Sequence, residues 1–173
     1  RALHADEQER LLAVLAAATG GEAERDRVLV RLLLGTGARI GSALAIDVAD
    51  LDFEHGELTM RSTKNDKPAV VMLPKTLGEE LRRFVAGRSG PVFLAKDARI
   101  STRHAQRRLA GWLAMARITG KSAHSLRHSF ATDLLARTGD LRLVQNALNH
   151  SSIVSTTIYA QVDRAKLRAA VGG

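Results

Sequence analysis

Hydrophobic positions change their period twice along the chain. Leu11, Leu15 and Ala18 recur at helical spacing behind an acid-rich start, and Gly20-Gly21 follows, which predicts a helix over residues 6–18. Val28, Leu29, Leu32 and Leu33 repeat the pattern over 22–34, before Gly35 and Gly37 as breakers. A short helix through Leu44 is expected just beyond Arg39. The period then falls to two. Leu51 and Phe53 alternate with acids, Leu58 and Met60 with polar residues, and 69–73 is a third apolar run. With His55-Gly56 and residues 62–68 as turns, these predict three antiparallel strands.

After Pro74 the helical period returns over 75–86, and 91–95 reads as a short extended stretch. Residues 102–117 predict a helix that buries Leu109, Trp112, Leu113 and Ala116. Ser122 is placed to cap the next, which carries Leu126, Phe130, Leu134 and Leu135 inward and ends at Gly139. Leu141, Val144 and Leu148 stripe a further helix, and a weak terminal one is expected around Leu167, a candidate to pack on a neighbouring protomer. No internal repeat or low-complexity linker interrupts the pattern. The fold class expected is mainly α with a small three-stranded antiparallel sheet, in a single domain spanning 1–173.

Size and composition agree with that picture. A chain of 173 residues holds one ordinary domain with a buried core and is too short for two. Hydrophobic residues at 45% and charged residues at 25% make a globular composition. No apolar run approaches a bilayer's thickness, and the start does not resemble a signal peptide, so no membrane partner is expected. The chain opens at Arg1 without a methionine, so the expectation is a piece of a longer protein. The lack of cysteine excludes disulfides, thiolate zinc sites and a cysteine nucleophile, and fits a reducing cytoplasm.

Charge changes the picture more. Lys and Arg number 26 against 18 acids, a net +8 that suits a polyanion such as nucleic acid; on charge alone a merely basic protein fits equally well. Aromatics at 3% argue against stacking on single-stranded bases and favour contacts to a duplex backbone.

Four places carry chemistry: Arg39 after a glycine-rich turn, Lys64 in a turn between strands, His124 with Arg127, and His150 with Tyr159. His124 and Arg127 are three apart on one helix face, in a first turn whose unpaired N–H groups and dipole favour an anion. Breaking a phosphodiester without a metal spreads negative charge over non-bridging oxygens, which two guanidiniums grip through forked donors. A tyrosine with a reference pKa of about 10 needs a base or a strongly positive pocket to attack. The leaving 5′ oxygen needs a proton, which Lys64 or a histidine can supply.

Taken alone, each residue has a plainer reading. A single tyrosine is most often a core residue, and Lys64 has an adjacent rival in Lys67. His124 and His128 sit four apart, but Ser125 stands where a zinc-protease glutamate would be and no third ligand is evident, so metal is not expected and His128 reads as structural. Gly120-Lys121-Ser122 looks like the end of a phosphate-binding loop, but its first glycine would fall at Met115. Ser42 follows Gly41 without the second glycine of a nucleophile elbow. Arg103, Arg107 and Arg108 read as a solvated helix face, with DNA-backbone contact as the second choice.

Together they have a different meaning. Thr36-Gly37-Ala38-Arg39-Ile40, the run from His124 to Thr132, and Leu148-Asn149-His150-Ser151-Ser152 with Ile158-Tyr159 resemble, in order, the motifs of the tyrosine recombinases of the phage integrase family. Thr63-Lys64-Asn65-Asp66-Lys67 resembles that family's lysine-bearing hairpin. The resemblance covers nearly the whole chain and implies its catalytic-domain fold. It implies that Arg39 and Arg127 bind the scissile phosphate and that His124 contacts it and acts as general base. Lys64 would be the general acid, His150 would donate to a non-bridging oxygen, and Tyr159 would form a 3′-phosphotyrosine. It further implies double-stranded DNA as partner, a homotetramer on DNA from protomers monomeric alone, no cofactor or metal, and a cytoplasmic protein encoded by a bacterium, archaeon or phage.

The sequence departs from the family in three ways. Ser42 replaces the acid many members carry three residues after the first arginine, leaving Arg39 with weaker support or with Asp47 or Asp50 as substitute. Asn149 replaces the usual glycine before His150. The family's separate N-terminal DNA-clamping, core-binding domain has no counterpart in these residues. A type IB topoisomerase and a degenerate DNA-binding module stand as alternatives.

Overall fold

The computed structural model describes residues 1–61, 68–149 and 167–172. The chain begins with α1 (Ala5–Ala17), α2 (Gly21–Thr36) and α3 (Ile40–Leu44). An antiparallel sheet of β1 (Leu51–Asp52), β2 (Glu57–Met60) and β3 (Ala69–Met72) follows, in that order. Then come α4 (Lys75–Phe84), a small hairpin of β4 (Leu94–Ala95) and β5 (Ala98–Arg99), α5 (Thr102–Met115), α6 (Ala123–Thr138) and α7 (Leu141–Asn149). The mainly helical class with one small three-stranded sheet is borne out.

The core is built around α2, which touches α1, α3, α4, α5 and α6. Val28, Val30, Leu32 and Leu33 are each at most 2% exposed. A helix buried on so many sides is held by packing and not by one amphipathic face. It runs through Gly35, which the sequence reading took for a breaker. A Cβ there would come within 2.9 Å of Leu77, so the glycine lets α4 lie close. The helix ends at Gly37, in the left-handed region at φ +70°, whose N–H donates to the Leu33 carbonyl.

In the sheet, Leu58 stands opposite Val71 and Met60 opposite Ala69, and all four are buried. The expected period of two therefore holds in β2, while in β3 Met72 is buried as well as Val71. β1 is shorter than expected, because Asp52 takes the chain into a turn. One of its oxygens accepts from the His55 N–H (3.0 Å) and the other meets His55 Nδ1 (2.8 Å). The hydrogen bond to Asp52 holds His55 above the usual histidine range, and the contacts to His55 hold Asp52 below the usual carboxylate range.

Two apolar positions differ from expectation. Leu135 is 38% and Leu141 58% exposed, while Leu143, Val144 and Ala147 are buried. Leu126, Phe130 and Leu134 form an i, i+4 stripe, and Leu135 lies a helical step off it. The β4–β5 hairpin was missed because its turn places Lys96, not glycine or asparagine, at positive φ (57°). The terminal helical stretch packs on its own chain: Leu167 and Val171 join Met72, Phe130, Leu134, Leu143, Val144 and Ala147 in a second apolar cluster.

One buried polar network ties the scaffold together. Asp26, 4% exposed, accepts from Arg25 Nε (2.9 Å), Arg108 Nε (2.8 Å) and Trp112 Nε1 (2.8 Å), and Arg25 also reaches the Leu94 carbonyl (3.0 Å). Arg108 is thus a structural tie between α2 and α5, not part of a solvated face. Asp26→Asn keeps the shape but removes the charge its partners share, and is expected to cost about 1.5–3 kcal/mol in chemical unfolding. A change below about 0.5 kcal/mol, the range of ordinary surface substitutions, would contradict that role.

Candidate active site

The turn from α2 into α3 places the first arginine. Gly37 reverses the backbone, Ala38 is buried, and Arg39 stands at the N-cap of α3 with its side chain exposed. The far end of α3 is braced by Arg99, which donates to the carbonyls of Leu44 (2.8 Å) and Ile46 (3.1 Å) and pairs with Asp47 (2.5 Å). Asp50 pairs with Arg61 (2.7 Å) and accepts from the Asp47 N–H. Asp47 and Asp50 are therefore engaged with other arginines, and neither replaces the acid missing at Ser42.

The second arginine is placed by α6. Ser122 stands at its N-cap, and the Ser125 hydroxyl accepts from the Ser122 N–H (3.0 Å) to close the first turn. Arg127 follows, 9% exposed, with Nη1 donating to the Gly37 carbonyl (2.6 Å) and Nη2 to the Leu148 carbonyl (3.0 Å). One guanidinium thus joins the end of α2, the body of α6 and the end of α7. Burial, and then the charge of Arg39, hold its pKa below the ordinary arginine value. Two cations drawn together in this way favour an anion between them.

His124 projects from the first turn of α6 and is exposed. The ring of His128 meets it edge-on, with centroids 4.7 Å apart. His128 is exposed too. Desolvation, then the neighbouring His124, the N-terminal ammonium and Arg127, lower its pKa and favour the neutral ring. Among the described residues no trio of His, Asp or Glu is placed to hold a metal ion.

Arg39, His124 and Arg127 line a single cleft of about 350 Å³ together with Lys121, Ser122 and Gln106. Ile40, Leu109 and Leu113 add apolar lining, and no acid among the described residues lines it. Lys121 and Gln106 were not singled out as site residues from sequence; only the glycine-lysine-serine run pointed at Lys121. Lys64, His150 and Tyr159 lie outside the described residues.

The phage integrase family model matches residues 1–166. The chain belongs to the phage integrase family. The match extends through the positions of all six candidate residues. The tyrosine recombinase XerA of Thermococcus kodakarensis is 35% identical over 182 residues, covering 98% of this chain and 61% of that protein. The solved integrase of mycobacterium phage Brujita superposes with a TM-score of 0.80 at 26% identity, over 99% of this chain and 56% of that one. The XerH site-specific recombinase, solved in a post-cleavage complex with a palindromic difH substrate, gives a TM-score of 0.69 at 26% identity, over 95% of this chain and 49% of that one. This member of the family therefore spans about three-fifths of the archaeal relative's length and about half of each solved neighbour's. No helix among the described residues is long and apolar enough to cross a membrane.

Proposed function

We propose that this chain is the strand-cutting and rejoining domain of a site-specific DNA recombinase. The observation that carries the reading is the cleft shared by Arg39, His124 and Arg127, which offers cations and no acid among the described residues. A buried, backbone-pinned guanidinium beside a second arginine suits the charge that develops on a phosphodiester under attack. In the reaction proposed, the Tyr159 oxygen attacks phosphorus and gives up its proton to His124. A 3′-phosphotyrosyl bond forms as the bond to the 5′ oxygen breaks. Lys64 supplies the proton to that leaving oxygen, and His150 donates to a non-bridging oxygen. The ester keeps the bond energy, so the reverse attack by a 5′ hydroxyl reseals DNA without a nucleotide cofactor. The partner is double-stranded DNA, and strand exchange takes four protomers, monomeric before they assemble. XerH, a solved neighbour with bound substrate, supports the DNA partner.

The test is a nicked suicide duplex carrying a site selected from a random-sequence pool. The wild-type chain is expected to form a covalent adduct that survives denaturation, and Tyr159→Phe to form none. Adduct formation by the phenylalanine variant would remove Tyr159 from the role, and no adduct from the wild type would remove the reaction.

A further inference from the structure

We propose that Lys121 is an additional phosphate-binding cation of the cleft, set at its edge by the residues that precede α1. The inference rests on the function proposed above and extends it beyond the six residues named there. Lys121 is half-buried, two residues before α6, and lines the same cleft as Arg39, His124 and Arg127. Its Nζ donates to the Ala2 carbonyl at 2.8 Å.

That carbonyl is itself held in place. Leu3 is 4% exposed, and its N–H donates to Ser129 Oγ (2.8 Å), which donates on to the Ser125 carbonyl (2.9 Å). Gln8 Nε2 reaches both the Leu3 carbonyl (3.4 Å) and Asp133 (3.3 Å). The segment ahead of α1 is therefore strapped along α6, and the lysine is tied to the strap. An ammonium has three donors, so the Ala2 carbonyl leaves two.

No carboxylate pairs with Lys121 among the described residues. A tethered cation beside His124 and Arg127 adds to the cleft's repulsion until an anion enters. Arg39 and Arg127 supply forked donors for the phosphate that is cut. A compact ammonium suits a neighbouring phosphate of the same strand, where it holds charge without fixing orientation.

Fluorescence anisotropy of a short mixed-sequence duplex, titrated with the chain between about 50 and 200 mM salt, tests this. Lys121→Gln is expected to bind more weakly at low salt. Its plot of log K against log salt should be shallower by about 0.9, so that its deficit closes about threefold over that range. Lys121→Arg is expected to keep the wild-type slope. A lysine that only secures the strap would give weaker binding at an unchanged slope, and that result overturns the proposal. So does an arginine variant that loses as much slope as the glutamine. Lys121→Met, which keeps the apolar stem, replaces the glutamine variant if circular dichroism shows that one unfolded. A wild-type chain that forms the adduct while Lys121→Gln keeps its slope refutes this inference alone. A wild-type chain that binds no duplex overturns the function as well.

Discussion

Arg127→Lys is expected to slow adduct formation on the suicide duplex about a hundred- to a thousandfold, the usual effect of removing one preorganised donor. The variant keeps a positive charge and removes only geometry. Arg127 spends Nη1 on the Gly37 carbonyl and Nη2 on the Leu148 carbonyl. The fork is thus fixed before DNA arrives, and its remaining donor positions are available to a phosphate oxygen. A lysine has one nitrogen, which cannot span both carbonyls and a phosphate in fixed directions. The lost bonds also release the end of α7, which immediately precedes His150 in sequence. Single-turnover cleavage with thermal unfolding alongside checks this. A loss below about tenfold in a fully folded variant would mean that charge alone, and not the guanidinium fork, serves the site.

Gly37→Ala is expected to destabilise the fold by about 2–5 kcal/mol. Two costs add. The residue sits at φ +70°, where a side chain costs roughly 1–2 kcal/mol. Its Cβ would lie 2.3 Å from the Phe130 ring, an overlap that forces repacking at about 1–3 kcal/mol. Phe130 is 4% exposed, so the ring has little room to give way. The same shift would displace the carbonyl that Arg127 uses, so activity should fall in whatever fraction stays folded. Urea unfolding measures the first effect. Phe130→Leu in the alanine background should recover part of the loss if the overlap is real. A cost below about 1 kcal/mol would refute the account.

The two predictions meet at one place in the structure, and its legibility was uneven. Gly37 and Arg39 were visible as a glycine-rich turn with a cation beyond it. That the carbonyl of the same glycine anchors Arg127, 90 residues away, was not. Spacing along a chain reports neighbours on one helix or strand, and a hydrogen bond between α6 and the end of α2 has no such signature. Asp47 and Asp50 show the same limit from the other side. By number they stood near enough to serve Arg39, but Arg99 and Arg61 occupy them. Arg108 looked like a solvated cation because its own helix is polar there, and only its partner on α2 makes it part of the scaffold.

By itself the sequence determined the helical and strand periods and the alternation that turns Leu58 and Met60 inward, and it supplied the six candidate reactive side chains. These follow from local repeat and residue type, which the chain carries in order. Tertiary structure alone decided that no acid among the described residues lines the cleft of Arg39, His124 and Arg127, that Asp26 ties α2 to α5, and that Lys121 lines the cleft while bonded to Ala2. Those relations arise when distant segments are brought together by burial, and the charges and hydrogen-bonding groups carried with them must then find partners where packing has left them.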